Sequence, residues 1–288
     1  MRSKMALLAS VVAATAAPAV LAIDLGGMLG TAKRIAEAAK PPEIDEAAQE
    51  KLLGGEAARA ILSRAPLAPL PGLQRYVNQL GRYLAARSDR PDADWRFAVI
   101  DDASANAWAA PDGYVFVTTG MLADVASEAE LAGILAHEIE HVVQRHHLRA
   151  LQSATRRGQL AALAGIAQDT AAAEGSATIT VNPELEKLRG TIGQLYERGL
   201  SRGDELDADR RGMKLSGRRG YDPFGLMLVL QKLGAHGKDD ASLASFTRTH
   251  PSIDERLKKL EAAVEKLDPS LFPGRTQEER YKKIVRLR

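Results

Sequence analysis

The chain has 288 residues, 45% hydrophobic and 26% charged, with a formal net charge of +2 and no cysteine. That is enough for one sizeable core, and few aromatics (5%) beside abundant alanine favour a mainly helical protein. Disulfides, thiolate metal ligands and a lipid-modified cysteine are excluded, and the near-neutral charge gives no electrostatic case for nucleic-acid binding.

Arg2 and Lys4 precede an uncharged apolar run from Met5 to Ala17, and Val20-Leu21-Ala22 supplies the small residues of a cleavage site. Residues 1–22 therefore read as an export signal. The rival, a retained membrane anchor, suits the length of the run but not its alanine content or Pro18. The 39 basic residues less Arg2 and Lys4 equal the 37 acidic ones, so the chain without this segment is formally neutral.

Residues 23–71 read as an N-terminal helical segment and linker. Pro41-Pro42 stops any first helix, a second covers 44–63 with an interruption near Gly54-Gly55, and 66–71 is a proline-rich connector. Leu73, Tyr76, Val77, Leu80, Tyr83 and Leu84 recur at helical spacing over 72–87. Residues 95–100 and 114–119 alternate as strands around the turn Pro111-Asp112-Gly113, which predicts a small antiparallel β-sheet. Ser127 and Glu130 form a capping box for a helix expected over 128–150. Alanine-rich 160–173 is too short to cross a bilayer, and 177–182 reads as a loop or short strand. Helices follow over 185–198, 202–215, 224–233 and 253–266. The predicted class is α+β, mainly helical, with its principal domain over 72–266. The basic stretch within 267–288 is read as a solvated amphipathic tail, with contact to anionic lipid as the alternative.

His137-Glu138-Ile139-Glu140-His141 lies on the capped helix. Residues four apart share a face, so His137 and His141 can aim at one zinc ion. Glu138 then projects beside the metal, placed to take a proton from a water activated there. Two candidates compete for third ligand. His147 falls ten residues after His137, but Gln144 stands where the longer motif needs a turning glycine. On a continuing helix His147 points about 80° off the ligand face, and His146 and His147 read as partly solvated. Glu205 and Asp209, four apart on the 202–215 helix, offer instead a carboxylate ligand and an acceptor for a ligand histidine's outer N–H.

His137-Glu138-x-x-His141 followed by Ser201-Arg202-x-x-Glu205-x-x-Ala208-Asp209 resembles the HtpX/BepA/Oma-type zinc metalloendopeptidases. The segments Asn106-Ala107-Trp108-Ala109, Glu130-Leu131-Ala132, Gly220-Tyr221-Asp222-Pro223 and His250-Pro251 fit the same pattern; Glu140 departs from it, since the family commonly has a small residue there. The resemblance covers about 45–265. It implies a zincin-like fold with one Zn2+ per chain held by His137, His141 and Glu205, Glu138 as base and Asp209 supporting the ligand shell. It further implies polypeptide substrates, misfolded or unassembled envelope proteins, a periplasmic location, and peripheral association with the membrane or outer-membrane assembly machinery. The strand around Asn106, Ala107, Trp108 and Ala109 is expected to pair with substrate. His250 reads either as an oxyanion stabiliser or fourth ligand, or as a plain helix-entry residue before Pro251. Tyr221 is a further oxyanion candidate, and His236 reads as surface. Two rivals are a binding protein with structural zinc, against which the intact Glu138 argues, and a zinc amidase acting on cell-wall peptides.

Overall fold

The computed structural model describes residues 45–155, 183–235, 240–250 and 253–285. The signal segment, the run to residue 44, the stretches 160–173 and 177–182, His236 and Pro251 lie outside the described residues. The elements are α1 (Glu46–Leu62), α2 (Pro71–Ala85), β1 (Arg96–Ile100), β2 (Ala107–Ala110), β3 (Tyr114–Thr118), α3 (Thr119–Asp124), α4 (Glu128–Val143), α5 (His146–Ala154), α6 (Pro183–Arg198), α7 (Arg202–Arg218), α8 (Gly225–Ala235), α9 (Ala244–Thr249), α10 (Ile253–Val264) and α11 (Glu278–Ile284). The mainly helical α+β expectation holds.

The sheet is mixed rather than antiparallel. Its order is β1-β3-β2, with β1 parallel to β3 and β2 antiparallel to it. Residues 101–113, between the two predicted strands, are long enough to carry β2, which takes the hairpin position against β3. The two strands expected to pair antiparallel, 95–100 and 114–119, are thus β1 and β3, which run parallel, and the antiparallel partner of β3 is β2.

α4 is buried on every side, which makes it the central helix of the fold. Its start is capped as predicted: Glu130 N–H donates to Ser127 Oγ (3.2 Å). The Glu130 carboxylate accepts from Ala126 N–H (2.9 Å) and from Lys232 (2.6 Å). One apolar cluster packs α2, the inner face of the sheet, α4 and α8 together. A second gathers Leu53, Ile61, Trp108, Phe116, Leu148, Ile192 and Tyr196 from α1, the sheet, α5 and α6.

Three expectations are corrected here. α1 runs through Gly54-Gly55 without interruption, and a Cβ on Gly54 would sit 2.3 Å from the carbonyl oxygen of Pro111. That glycine marks a close approach, not a break. The helix carrying the histidines stops at Val143, and Arg145 takes a left-handed φ of 54° before α5 begins. The described part of the basic tail is docked as well as solvated: Arg280, Lys282 and Lys283 of α11 are exposed, but its Tyr281 is buried and donates to Leu122 O (2.6 Å). Just before it, Ala129 N–H donates to Thr276 O (3.0 Å). Among the described residues, no helix is long and apolar enough to cross a membrane.

Candidate active site

α4 presents His137 and His141 one turn apart, and α7 packs against that turn. Gly212 makes the approach possible, since a Cβ there would lie 2.8 Å from the backbone nitrogen of His137. α7 begins at Ser201, whose hydroxyl caps Asp204 N–H (3.2 Å), and so carries Glu205 in its first turn and Asp209 one turn later. The segment after α9 adds His250.

These elements bring His137, His141, Glu205 and His250 together, each offering a ligand atom within 4.8 Å of the others, and all four are buried. The Nε2 atoms of His137 and His141 are 3.0 Å apart. Glu205 Oε1 lies 3.4 Å from His141 Nε2, and Oε2 lies 3.6 Å from His137 Nε2 and 2.9 Å from His250 Nδ1. Glu138, 1% exposed, faces His250 Nε2 at 3.9 Å. Asp209 Oδ1 stands 2.9 Å from His137 Nδ1, the nitrogen turned away from the cluster.

Burial disfavours the charge on Glu205, but His250, His137 and His141 outweigh it and hold the carboxyl well below the usual range. Burial likewise opposes Asp209, whose carboxyl Arg256 and His137 bring down to about 2. Burial lowers His137, but hydrogen bonding to Asp209 and Glu205 overrides it and lifts the imidazole to about 9. The cluster is thus a desolvated set of groups in which buried carboxylates face imidazoles and a guanidinium. Two buried carboxylate oxygens, Glu205 Oε1 and Glu138 Oε2, have no hydrogen-bond partner among the described residues. A buried unpaired carboxylate oxygen is costly, and a divalent cation satisfies it. Three imidazoles and a carboxylate, with no thiolate, make a donor set able to hold a divalent metal ion.

The remaining residues fall as follows. Asn106 is buried, and its side chain donates to Ser245 Oγ (2.8 Å) and Thr249 Oγ1 (3.3 Å), tying β2 to α9. Ala107, Trp108 and Ala109 form β2, the sheet edge beside the cluster. His250 Nε2 lies 3.3 Å from Ala107 O, and Tyr196 of α6 donates to Ala109 O (2.9 Å). Trp108, Glu138, His147, Tyr196, Glu205 and His250 share one narrow cleft. Tyr221 is not brought to it. Its hydroxyl donates to Glu128 (2.8 Å), about 13 Å along α4 from His137 at 1.5 Å per residue. Glu140 does not line the cleft either; it sits near Gln144 and Arg211, and burial pushes its carboxyl up to about 7.

The partly solvated reading of His146 and His147 is overturned. Both are buried, because the chain reverses at Arg145 instead of continuing as a helix. His147 stacks on Tyr196 with centroids 5.1 Å apart, and it stays outside the four-residue cluster. His146 Nδ1 reaches His141 Nδ1 at 3.0 Å.

Arg256 is the residue the sequence reading missed. It is 2% exposed, donates through Nε and an Nη to Asp209 (2.8 and 2.7 Å), and lies 3.5 Å from Glu205 Oε2. A signal existed: Arg256 falls three residues after Ile253 and four before Leu260, on the apolar stripe of its helix. An arginine there needs a buried carboxylate.

Comparison with known proteins agrees with this geometry. The model of peptidase family M48 matches residues 71–264. The chain is 30% identical over 226 residues to a beta-barrel assembly-enhancing protease of Yersinia pestis, covering 77% of this chain and 45% of that protein. It is 29% identical over 214 residues to the protein of the same name from Escherichia coli strain K12, covering 73% and 42%. With mitochondrial metalloendopeptidase OMA1 of Schizosaccharomyces pombe it shares 27% over 215 residues, 74% of this chain and 60% of that one. The chain therefore spans less than half the length of the two bacterial relatives.

Proposed function

Because the chain belongs to peptidase family M48, we propose that it is a zinc metalloendopeptidase with one Zn2+ held by His137, His141 and Glu205. The observation that carries this reading is the buried four-donor cluster with Glu138 beside it. When bound, the metal supplies Lewis acidity, polarising a peptide carbonyl and acidifying a water at neutral pH. Glu138 is the base: its carboxylate takes the proton of the attacking water and returns it to the leaving amine. Asp209 orients His137, and Arg256 balances the charge of Asp209 and Glu205.

An extended substrate adds as a strand to β2, along Asn106–Ala109. Two of that edge's carbonyls are engaged by His250 and Tyr196, so substrate entry requires both side chains to leave. We assign His250 as the fourth donor of a closed state. Four protein donors complete a tetrahedral zinc shell and leave no place for water, whereas three leave the open position catalysis needs.

The names of the bacterial relatives support envelope polypeptides as the substrate class. With the signal-like residues 1–22, they also support a periplasmic location for quality control of such proteins, beside the membrane or the outer-membrane assembly machinery. Residues 72–266 form the peptidase domain in this reading.

The test is Glu138→Gln, which removes the base while keeping size. Casein cleavage by the purified variant should drop at least a hundredfold, on the order general-base catalysis contributes, with zinc content unchanged. Cleavage at the wild-type rate would sink the assignment.

A further inference from the structure

The two histidines of α4 differ in what holds their outer ring nitrogens. His137 Nδ1 has the Asp209 carboxylate at 2.9 Å. His141 Nδ1 has instead another imidazole, His146 Nδ1, at 3.0 Å. His141 is fully buried and His146 nearly so, which keeps bulk water from either nitrogen.

The following step rests on the metal site proposed above. A histidine that binds metal through Nε2 has no proton there, so its neutral ring carries the proton on Nδ1. That N–H needs an acceptor. We propose that His146 is a positioning residue of the metal centre, its unprotonated Nδ1 accepting the Nδ1–H of His141. The opposite arrangement, with His146 donating, puts the His141 proton on Nε2 and blocks the ligand atom. One direction alone is compatible with metal.

The His146 proton then sits on Nε2, which faces Asp204 Oδ1 at 3.5 Å and Asp207 Oδ2 at 4.0 Å. Both carboxylates belong to α7, the helix that also supplies Glu205 and Asp209. α7 thus orients both ligand histidines, His137 directly and His141 through His146. The contact depends on the reversal at Arg145, whose guanidinium pairs with Glu46 (2.7 Å) and Glu50 (3.4 Å) of α1. An N-terminal helix outside the family match thereby fixes the turn that delivers His146.

The test compares zinc dissociation constants of the wild-type chain, His146→Leu and His146→Asn by competition with a chromophoric chelator. The visible spectra of the cobalt-loaded forms are recorded beside them. Leucine fills the space without accepting a hydrogen bond; asparagine places Oδ1 close to where Nδ1 stood. The leucine variant should bind zinc roughly ten- to a hundredfold more weakly, the usual effect of removing such a partner. The asparagine variant should recover most of the affinity and the wild-type cobalt spectrum. Unchanged affinity in His146→Leu, or equal weakening in both variants, overturns the proposal. Long-range nitrogen–proton NMR of the zinc-loaded wild type reads the tautomers without mutation. The proton is expected on Nδ1 of His141 and Nε2 of His146, and a proton on Nδ1 of His146 overturns it even if a variant fails to fold. A wild-type chain that binds no zinc removes the metal site itself, and this inference with it.

Discussion

Arg256 and His250 both touch Glu205, yet they predict different outcomes. Arg256 is the only guanidinium among the described residues bonded to Asp209, and both partners are buried. Arg256→Leu strands two carboxylates in the interior, a change worth about 3–5 kcal/mol when one member of a buried ion pair is lost. Urea unfolding of the metal-free chain should register that loss, and a change under about 1 kcal/mol contradicts the role. His250 closes the cluster without being one of the three proposed ligands. His250→Ala should keep zinc and raise casein cleavage several-fold; a fall to the level of Glu138→Gln assigns His250 to the reaction instead. His137, Glu138, His141, Glu205 and Asp209 were legible because helical spacing converts sequence distance into a shared face. His146 was not, since its approach to His141 depends on a left-handed arginine pinned by a distant helix.

At the scale of elements, the site is a contact between two helices, α4 and α7, and their spacing is set by Gly212. Gly212→Ala drives a methyl into the backbone at His137. Overpacking of this kind costs about 1–3 kcal/mol, and here the strain falls on a proposed ligand. The variant should therefore lose zinc affinity as well as stability; unchanged affinity in a competition titration rules out a spacing role. Helix existence was readable from apolar periodicity, and the α4 cap from Ser127 and Glu130. The topology of the sheet was not, because β2 is alanine-rich and short, with little β propensity of its own. Its place is earned by pairing with β3 and by burial of Trp108.

Over the whole molecule, the described residues enclose the cluster from both ends of the chain. α1 fixes the turn behind α4, while residues 275–285 fold back onto α3 through Tyr281 and onto the start of α4 through Thr276. The basic composition of that segment hid its docking, which rests on one buried tyrosine, a backbone hydrogen bond and the ion pair of Arg280 with the buried Glu128 (3.3 Å). All of this architecture converges on one claim, that His137, His141 and Glu205 hold a single zinc ion. A crystal structure of the zinc-loaded chain, with anomalous scattering measured at the zinc edge, tests it most directly. The account predicts one peak at about 2.0–2.2 Å from Nε2 of His137, Nε2 of His141 and a Glu205 oxygen. A peak elsewhere, or none at this cluster in a zinc-saturated crystal, contradicts it.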